Sequence, residues 1–316
     1  MEKSININVH VAEYRGFCAG VDRAIEMVEK SLSKYGTPVY VRHEIVHNKY
    51  VVEGLKKKGV IFVESLKDIP KNTKAPIIFS AHGVSKEVMQ SAKDLNLFHL
   101  DATCPLVSKI HREVEILEED DYKIIMIGHK FHPEVIGTIG QAINKKNILL
   151  VEEVGDVKKI KIDRNQKIAY VTQTTLSVYD TSNIVKAIKE KFPNIKEPRK
   201  TDICYATSNR QLSVQQLAKK VDSFYIIGSS NSSNSVRLVE TAKLFGCNHA
   251  ELIENINNFD FEKIKKFKNI GLTASASAPE DLIKKFVKEL KKYYKITIND
   301  QKIPENVKFK IPNFLN

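Results

Sequence analysis

The chain has 316 residues, of which 42% are hydrophobic and 28% charged, a globular composition long enough for two or three domains. No apolar run approaches the roughly 20 residues that cross a bilayer, and the N-terminal sequence MEKSININVHVAEYRG holds no hydrophobic stretch typical of a signal peptide. The formal net charge of +12 comes without any zinc-finger or RNA-recognition motif, so we expect no nucleic-acid function and favour an acidic partner protein or an anionic substrate.

Short β-branched runs alternate with amphipathic helical stretches along the chain, which predicts an α/β fold. The predicted strands are Pro38–Arg42, Ala75–Ser80, Lys123–Gly128, Ile148–Val151, Ile168–Thr172, Ser223–Gly228 and Asn269–Thr273. The predicted helices are Val21–Tyr35, Asn48–Lys58, Pro105–Glu118, His132–Asn144, Tyr179–Phe192, Asn209–Val221, Ser235–Phe245 and Pro279–Tyr294. In parallel sheets the loops after the strands lie at one edge, where α/β proteins bind ligands.

Three of the four cysteines, Cys18, Cys104 and Cys204, each lie just before or within the start of a helical stretch, at similar separations. We call them the helix-start cysteines. The positive end of a helix stabilises a thiolate, so three such thiols suit a soft metal or an iron–sulfur cluster with one open iron position. Three unrelated buried thiols would give the same spacing. Without a secretion signal, we expect the cysteines to be reduced, in an intracellular or organellar compartment.

Histidines recur in three short segments that follow predicted strands. They are His43 and His47 in HEIVHNKY, His82 in SAHGVS, and His129 and His132 in GHKFHPEV, where Glu134 follows. A single histidine is more often structural than functional, but three such loops favour a functional site. GHKFHPEV lacks the spacing of a helical HExxH zinc motif.

Polar loops precede three of the predicted helices. In GSSNSSNSVRLVE, six Ser or Asn residues run from Ser230 to Ser235, and TASASAPEDL contributes Ser275 and Ser277. Helix capping explains one or two of these residues. Hydroxyl and amide groups beside a helix N-terminus also form a phosphate site without a glycine-rich loop. Together with VTQTTLSVYD, these loops predict a centre suited to a diphosphate.

These segments, taken together, resemble a known family in its order from about Val9 to Lys285. They are GFCAGVDRAI, HEIVHNKYVVEGL, SAHGVS, DATCPLVSKIH, GHKFHPEVIGTIGQ, VTQTTLS, DICYATSNRQ, GSSNSSNSVRL and TASASAPE. The chain is identified by this resemblance as similar to the 4-hydroxy-3-methylbut-2-enyl diphosphate reductases, iron–sulfur enzymes of the non-mevalonate isoprenoid pathway. Nine motifs in succession make the resemblance highly specific.

The resemblance implies three similar α/β lobes in a pseudo-threefold arrangement around a central [4Fe–4S] cluster, with the helix-start cysteines as iron ligands. It also implies reductive dehydroxylation of the allylic diphosphate by two electrons and two protons, with ferredoxin or flavodoxin as the electron donor. Glu134, Thr174 and His132 would carry the catalysis. The substrate contacts would be His47, His82, His132, Thr174, Ser232, Ser233, Asn234 and Ser277. Cys247 has no place in this set, and Ser275 stands where many relatives have glycine.

For the domain organisation we expect a first lobe over 1–104, a second over 105–200, a third over 201–289 and a C-terminal tail over 290–316. The compartment is either the bacterial cytoplasm or the stroma of a plastid-type organelle, with the second slightly preferred. Two other functions are open: a thiol- or zinc-dependent hydrolase that uses the same cysteines and histidines, and a non-enzymatic basic protein that binds nucleic acid. Protein purified without oxygen separates all three, since the iron–sulfur enzyme is brown, the hydrolase is colourless and retains zinc, and the third carries nucleic acid and neither metal.

Overall fold

A computed structural model describes residues 5–163 and 165–315 of the chain. The strands are β1 (Asn6–Val11), β2 (Val39–Arg42), β3 (Val60–Val63), β4 (Ile77–Phe79), β5 (His99–Asp101), β6 (Lys123–Ile127), β7 (Ile148–Val151), β8 (Ile168–Thr172), β9 (Ser223–Ile227), β10 (Ala250–Ile253), β11 (Asn269–Ala274) and β12 (Lys295–Asp300). The helices are α1 (Ala19–Tyr35), α2 (Lys49–Lys57), α3 (Lys86–Asp94), α4 (Pro105–Glu119), α5 (Pro133–Ile139), α6 (Val154–Lys159), α7 (Val178–Lys191), α8 (Tyr205–Ala218), α9 (Ser233–Leu244) and α10 (Asp281–Tyr293).

The strands form three parallel sheets, which confirms the predicted α/β class. The chain divides into two compact units. The first unit contains the segment ending at Ala19 together with His47–Glu53 and Tyr205–Lys308. The second contains Gly20–Val46, Gly54–Cys204 and the segment beginning at Phe309. The lobe boundaries expected from the sequence stay a prediction.

The first unit contains the five-stranded sheet, in the order β10-β9-β11-β1-β12. Its central strands are buried on both faces, as parallel sheets covered by helices require; all five residues of β9 are buried. Helix α10 covers one face because its apolar residues Leu282, Ile283, Phe286 and Leu290 recur on one side, while its lysines face water. Because β1, β9 and β11 run parallel to one another, their carboxyl ends lie at the same edge of the sheet.

The second unit contains a four-stranded sheet, β3-β2-β4-β5, and a three-stranded sheet, β7-β6-β8. Helix α4 packs on the latter through Val107, Ile110, Val114 and Leu117, and it begins with Pro105 at its first position, where the missing N–H costs nothing. The loops after β4, β5, β6 and β8 carry the polar motifs of this unit.

Most predicted elements are confirmed within one to four residues, and one helix was wrong in length. The helix predicted over His132–Asn144 ends at Ile139. Gly140 caps it, and an added Cβ there would lie 2.2 Å from the Ser85 Cβ, so the close approach of the Ser85 loop requires glycine at this point.

Candidate active site

Glu134 is the acidic residue among the predicted site residues, and its side chain is deeply buried. It occupies the second position of α5 and is only 2% exposed. Its carboxylate accepts two hydrogen bonds from Thr174, one from the backbone N–H at 2.6 Å and one from Oγ1 at 2.9 Å. Burial raises the pKa of Glu134 to about 7, against the lowering effect of the Thr174 bonds. The group is thus a carboxylic acid that is protonated below neutral pH and about half protonated at pH 7.

His132 caps the helix that carries Glu134. Its Nδ1 accepts a hydrogen bond from the Glu134 N–H at 3.2 Å, so a neutral His132 carries its proton on Nε2. The extended backbone of His132 and the following Pro133 are what an N-cap and a first helical position require. One short helix start therefore fixes both the acid and a hydrogen-bond donor.

Three histidine rings lie in a row in the second unit. The His82 ring centroid lies 5.8 Å from that of His132 and 6.0 Å from that of His43. Nδ1 of His82 lies 3.2 Å from Ser80 Oγ, and Nδ1 of His43 lies 2.9 Å from the Glu64 carboxylate. His43 was not among the predicted site residues. Its position in the motif that also contains His47 was the available signal.

Glu134, Thr174, His132 and His82 together form what we call the acid–histidine centre. Two helix-start cysteines are connected to this centre through backbone hydrogen bonds. The Cys104 N–H donates to Ala81 O at 3.0 Å, directly before His82, and the Cys204 N–H donates to Thr174 O at 3.1 Å. Cys104 is the N-cap of α4, and Cys204 directly precedes α8. Within the second unit, continuous contacts thus run from one thiol loop through His82, His132, Glu134 and Thr174 to the other.

The first unit brings together most of the predicted phosphate-binding residues. Ser277 Oγ donates to His47 O at 3.0 Å and lies 3.4 Å from the hydroxyls of Ser232 and Ser275. Asn234 Oδ1 accepts the Ala276 N–H at 2.9 Å, while the buried Asn234 Nδ2 has no hydrogen-bond partner in the described part of the chain. Ser232 caps α9, and Ser233 begins it. We call this group, at the carboxyl ends of β9 and β11, the hydroxyl cluster.

The chemistry of this cluster fits an anionic ligand. A buried amide N–H group without a partner costs free energy until a ligand accepts from it. The cluster also lies at the N-terminus of α9, a twelve-residue helix whose first N–H groups carry partial positive charge. Oxygens of a phosphate group accept from both kinds of donor.

Cys18 lies in the first unit, in the loop between β1 and α1. Its N–H donates to Ala276 O at 3.2 Å, which places it beside the hydroxyl cluster. None of the four cysteines, all within the described residues, forms a disulfide, and the three helix-start cysteines are half-buried. Cys247 is different: it is buried in the core with Val214, Phe224 and Leu238, and burial raises the pKa of its thiol.

The helix-start cysteines fit the ligands of an iron–sulfur cluster. All three are reduced, partly accessible and placed at the positive end of a helix, which favours the thiolate that iron requires. Among residues 5–163 and 165–315, no group of three or more His, Cys, Asp or Glu side chains is arranged to hold a metal ion. The three thiols lie in separate loops, each directly before a helix.

Asp202 is a residue whose role the sequence did not predict. It is buried, accepts the Thr172 N–H at 3.0 Å and pairs with Lys109 at 3.1 Å. Its negative charge contributes to the raised pKa of Glu134, and burial raises its own pKa. Asp202 lies in the motif DICYATSNRQ, but only the fold shows that it accepts from Thr172 at the end of β8, the strand that leads to Thr174.

The fold and these contacts define an α/β enzyme with a buried acid, a row of histidines and thiols at helix starts. The LytB protein family matches residues 9–291 of the chain. The 4-hydroxy-3-methylbut-2-enyl diphosphate reductase of a Ruegeria species is 48% identical over 310 residues, covering 98% of this chain and 97% of the relative. Reductase 1 of Bradyrhizobium diazoefficiens is 51% identical over 287 residues, covering 91% and 89%.

A solved structure agrees with these relatives. The E-1-hydroxy-2-methyl-but-2-enyl-4-diphosphate reductase from Plasmodium falciparum superimposes with a TM-score of 0.91 at 40% identity, covering 99% of this chain and 97% of that one. The chain belongs to the 4-hydroxy-3-methylbut-2-enyl diphosphate reductase family, which is a family of oxidoreductases, and the resemblance drawn from the sequence is confirmed. No helix in the described residues has the length and apolarity to span a bilayer.

Proposed function

We propose that this chain removes the hydroxyl group of 4-hydroxy-3-methylbut-2-enyl diphosphate. Two electrons and two protons convert the substrate to isopentenyl or dimethylallyl diphosphate and water. The proposal rests on the family and on the acid–histidine centre. We propose Cys18, Cys104 and Cys204 as ligands of a [4Fe–4S] cluster, with ferredoxin or flavodoxin as the electron donor. When bound, the cluster would pass the two electrons of the donor to the substrate and would offer a Lewis-acidic iron.

The observation that carries the proposal is the buried Glu134 held by Thr174. Hydroxide is a poor leaving group at neutral pH, so breaking the C–O bond requires a proton on the departing oxygen. With a pKa of about 7, Glu134 is about half protonated at neutral pH and largely protonated below it, which matches this transfer. Thr174, which donates to both carboxyl oxygens, orients the acid. His132 acts beside them as a donor through Nε2.

The hydroxyl cluster supports binding of the diphosphate. The proposed substrate contacts are His47, His82, His132, Thr174, Ser232, Ser233, Asn234 and Ser277. Hydroxyl, amide and imidazole groups donate hydrogen bonds to phosphate oxygens, and such bonds are stronger when the acceptor oxygen is charged. This chemistry selects for a ligand with phosphate groups rather than for the uncharged alcohol.

The proposal is tested with protein purified without oxygen. We expect iron and acid-labile sulfide in the isolated protein, turnover of the diphosphate with a chemical reductant, and weak binding of the alcohol that lacks phosphates. Air should inactivate the enzyme, because oxygen attacks an open iron. A colourless protein that retains zinc and hydrolyses the substrate without a reductant would overturn the assignment.

A further inference from the structure

The loop that carries Cys18 is tied to the rest of the first unit by its backbone. The Gly16 N–H donates to Ala274 O at 2.9 Å, the Cys18 N–H to Ala276 O, and the Ala19 N–H to Tyr205 Oη at 3.3 Å. Gly16 has φ +75°, a left-handed conformation that favours glycine. These bonds leave the carbonyl oxygens of Gly16 and Phe17 to be satisfied from another side.

Arg210 on α8 satisfies these carbonyls and is the largest side chain that the described residues bury completely. Its guanidinium donates to Gly16 O at 2.7 Å from Nη2 and 3.2 Å from Nε, and to Phe17 O at 3.3 Å. Nη1 donates to Ala206 O at 2.9 Å, in the preceding turn of the same helix. A planar fork with five N–H groups is required for so many acceptors, and lysine has no equivalent.

The charge of Arg210 is balanced by Glu305. The two form a bidentate pair, with Nη2 at 3.0 Å from Oε2 and Nη1 at 3.2 Å from Oε1, and Asn209 Nδ2 donates to the same carboxylate at 2.9 Å. A buried guanidinium without a counter-charge is strongly unfavourable, so each partner depends on the other. Glu305 thus links the Cys18 loop to the C-terminal segment.

That segment follows the Cys18 loop over several residues. Ile303 N–H donates to Glu13 O at 3.1 Å, and Arg15 pairs with Asp300 at 2.8 Å. Glu280 accepts from both Arg15 and Lys302. Residues 300–305, at the end of β12 and just after it, are held against the chain that leads to Cys18.

We propose that Arg210 and Glu305 are positioning residues for Cys18, forming a clamp that fixes its loop in the geometry required for iron ligation. The inference rests on the proposed function for the identity of the ligand. Neither residue touches the hydroxyl cluster or Glu134 through any contact described above. The clamp therefore acts on the thiol loop, not on the chemistry of the substrate.

The test compares three variants of the full-length protein, purified without oxygen. Arg210→Lys keeps the charge but loses the fork, and Glu305→Gln keeps an acceptor oxygen but loses the counter-charge. Glu240→Gln is the matched control, since Glu240 pairs with Arg237 at 2.7 Å on α9. Hydrogen exchange of peptides covering residues 12–19 is measured together with iron content, melting temperature and the rate of bleaching in air.

We expect exchange in residues 12–19 to accelerate by at least about tenfold in both clamp variants, because a charge-assisted network holds the loop closed. Bleaching in air should accelerate with it, while Glu240→Gln behaves as the unmodified protein. Unchanged exchange in both clamp variants would overturn the clamp. Faster exchange with an unchanged bleaching rate would overturn the positioning role. Unmodified protein without iron would instead refute the proposed function, and with it the role of the clamp in iron binding.

Discussion

If Glu134 is the general acid, Glu134→Gln should lose proton donation and keep the other properties of the protein. Glutamine has nearly the same shape, and its Oε1 can still accept the Thr174 N–H while Thr174 Oγ1 accepts from its Nε2. The variant should therefore fold, retain iron and bind substrate. It cannot deliver a proton, so we expect turnover to fall by at least about a hundredfold, within the usual range for a lost general acid.

The buried acid also has a cost in stability that can be calculated. Its folded pKa of about 7 lies above the value of 4.5 for an ordinary glutamate. The stabilisation of the folded state that depends on this proton is fully present below pH 4.5 and is lost as the pH rises through 7. The reason is that the Glu134 carboxyl ionises at a lower pH in the unfolded chain than in the folded chain. The difference corresponds to about 3 kcal/mol. Relative to the unmodified protein, Glu134→Gln should gain about this free energy of unfolding between pH 4.5 and pH 8.

Glu87→Gln is the matched control. Glu87 occupies the same second position in α3 but is largely exposed and pairs with Lys145 at 2.7 Å. Its loss should remove only the favourable charge at a helix N-terminus, about 0.3–1 kcal/mol, and leave turnover unchanged. Turnover, substrate binding and denaturation are measured from pH 4.5 to pH 8. Near-normal turnover in Glu134→Gln, with a stability change no larger than that of Glu87→Gln, would refute the role of Glu134 as the general acid. Glu134 would then have only a helix-capping role.

Three further predictions concern the cluster, the diphosphate and the donor. Replacing any helix-start cysteine with serine should lower iron and sulfide per chain, whereas Cys247→Ser should not; full cluster content in Cys104→Ser would contradict the ligand set. Asn234→Ala should weaken substrate binding by roughly ten- to a hundredfold, the usual cost of losing a hydrogen bond to a charged group. The control Asn258→Ala, at an exposed position, should leave the dissociation constant unchanged. Equal affinities of Asn234→Ala and the unmodified protein would remove Asn234 from the site. The net charge of +12 should make the rate with ferredoxin fall as salt rises, but not the rate with a small reductant; equal salt dependence would exclude electrostatic steering.

The sequence predicted the buried parts of the fold better than the exposed parts. Ile148–Val151 and Ile168–Thr172 have the predicted bounds, since continuous apolar runs are typical of buried parallel strands. Strand β12 was missed because it lies at the sheet edge, where most of its residues are exposed and no apolar alternation is required. Strand β1 had a readable signal in the alternation of Ile7, Val9 and Val11, which its asparagines and histidine obscured.

Local motifs predicted the candidate site loops but not the contacts that connect them. That Pro133 starts a helix follows from proline chemistry, and the structure confirms it. That Thr174 donates to Glu134 depends on the parallel pairing of β6 with β8, a contact between residues 40 positions apart. Arg210 lies in the motif DICYATSNRQ, but its burial could not be predicted, because a single arginine in a helical stretch is usually exposed and only the tertiary structure buries it.

The same contacts divide the work between the two titratable groups of α5. Nδ1 of His132 already accepts the Glu134 N–H, so protonating that nitrogen would break the bond that caps the helix. His132 therefore serves as a hydrogen-bond donor through Nε2, whereas Glu134 has no such constraint and holds a transferable proton near pH 7. The pH profile separates these roles. If Glu134 is the acid, the fall in rate above pH 7 disappears in Glu134→Gln; if it persists there, the proton comes from another group, and His132 is the nearest candidate on the same helix.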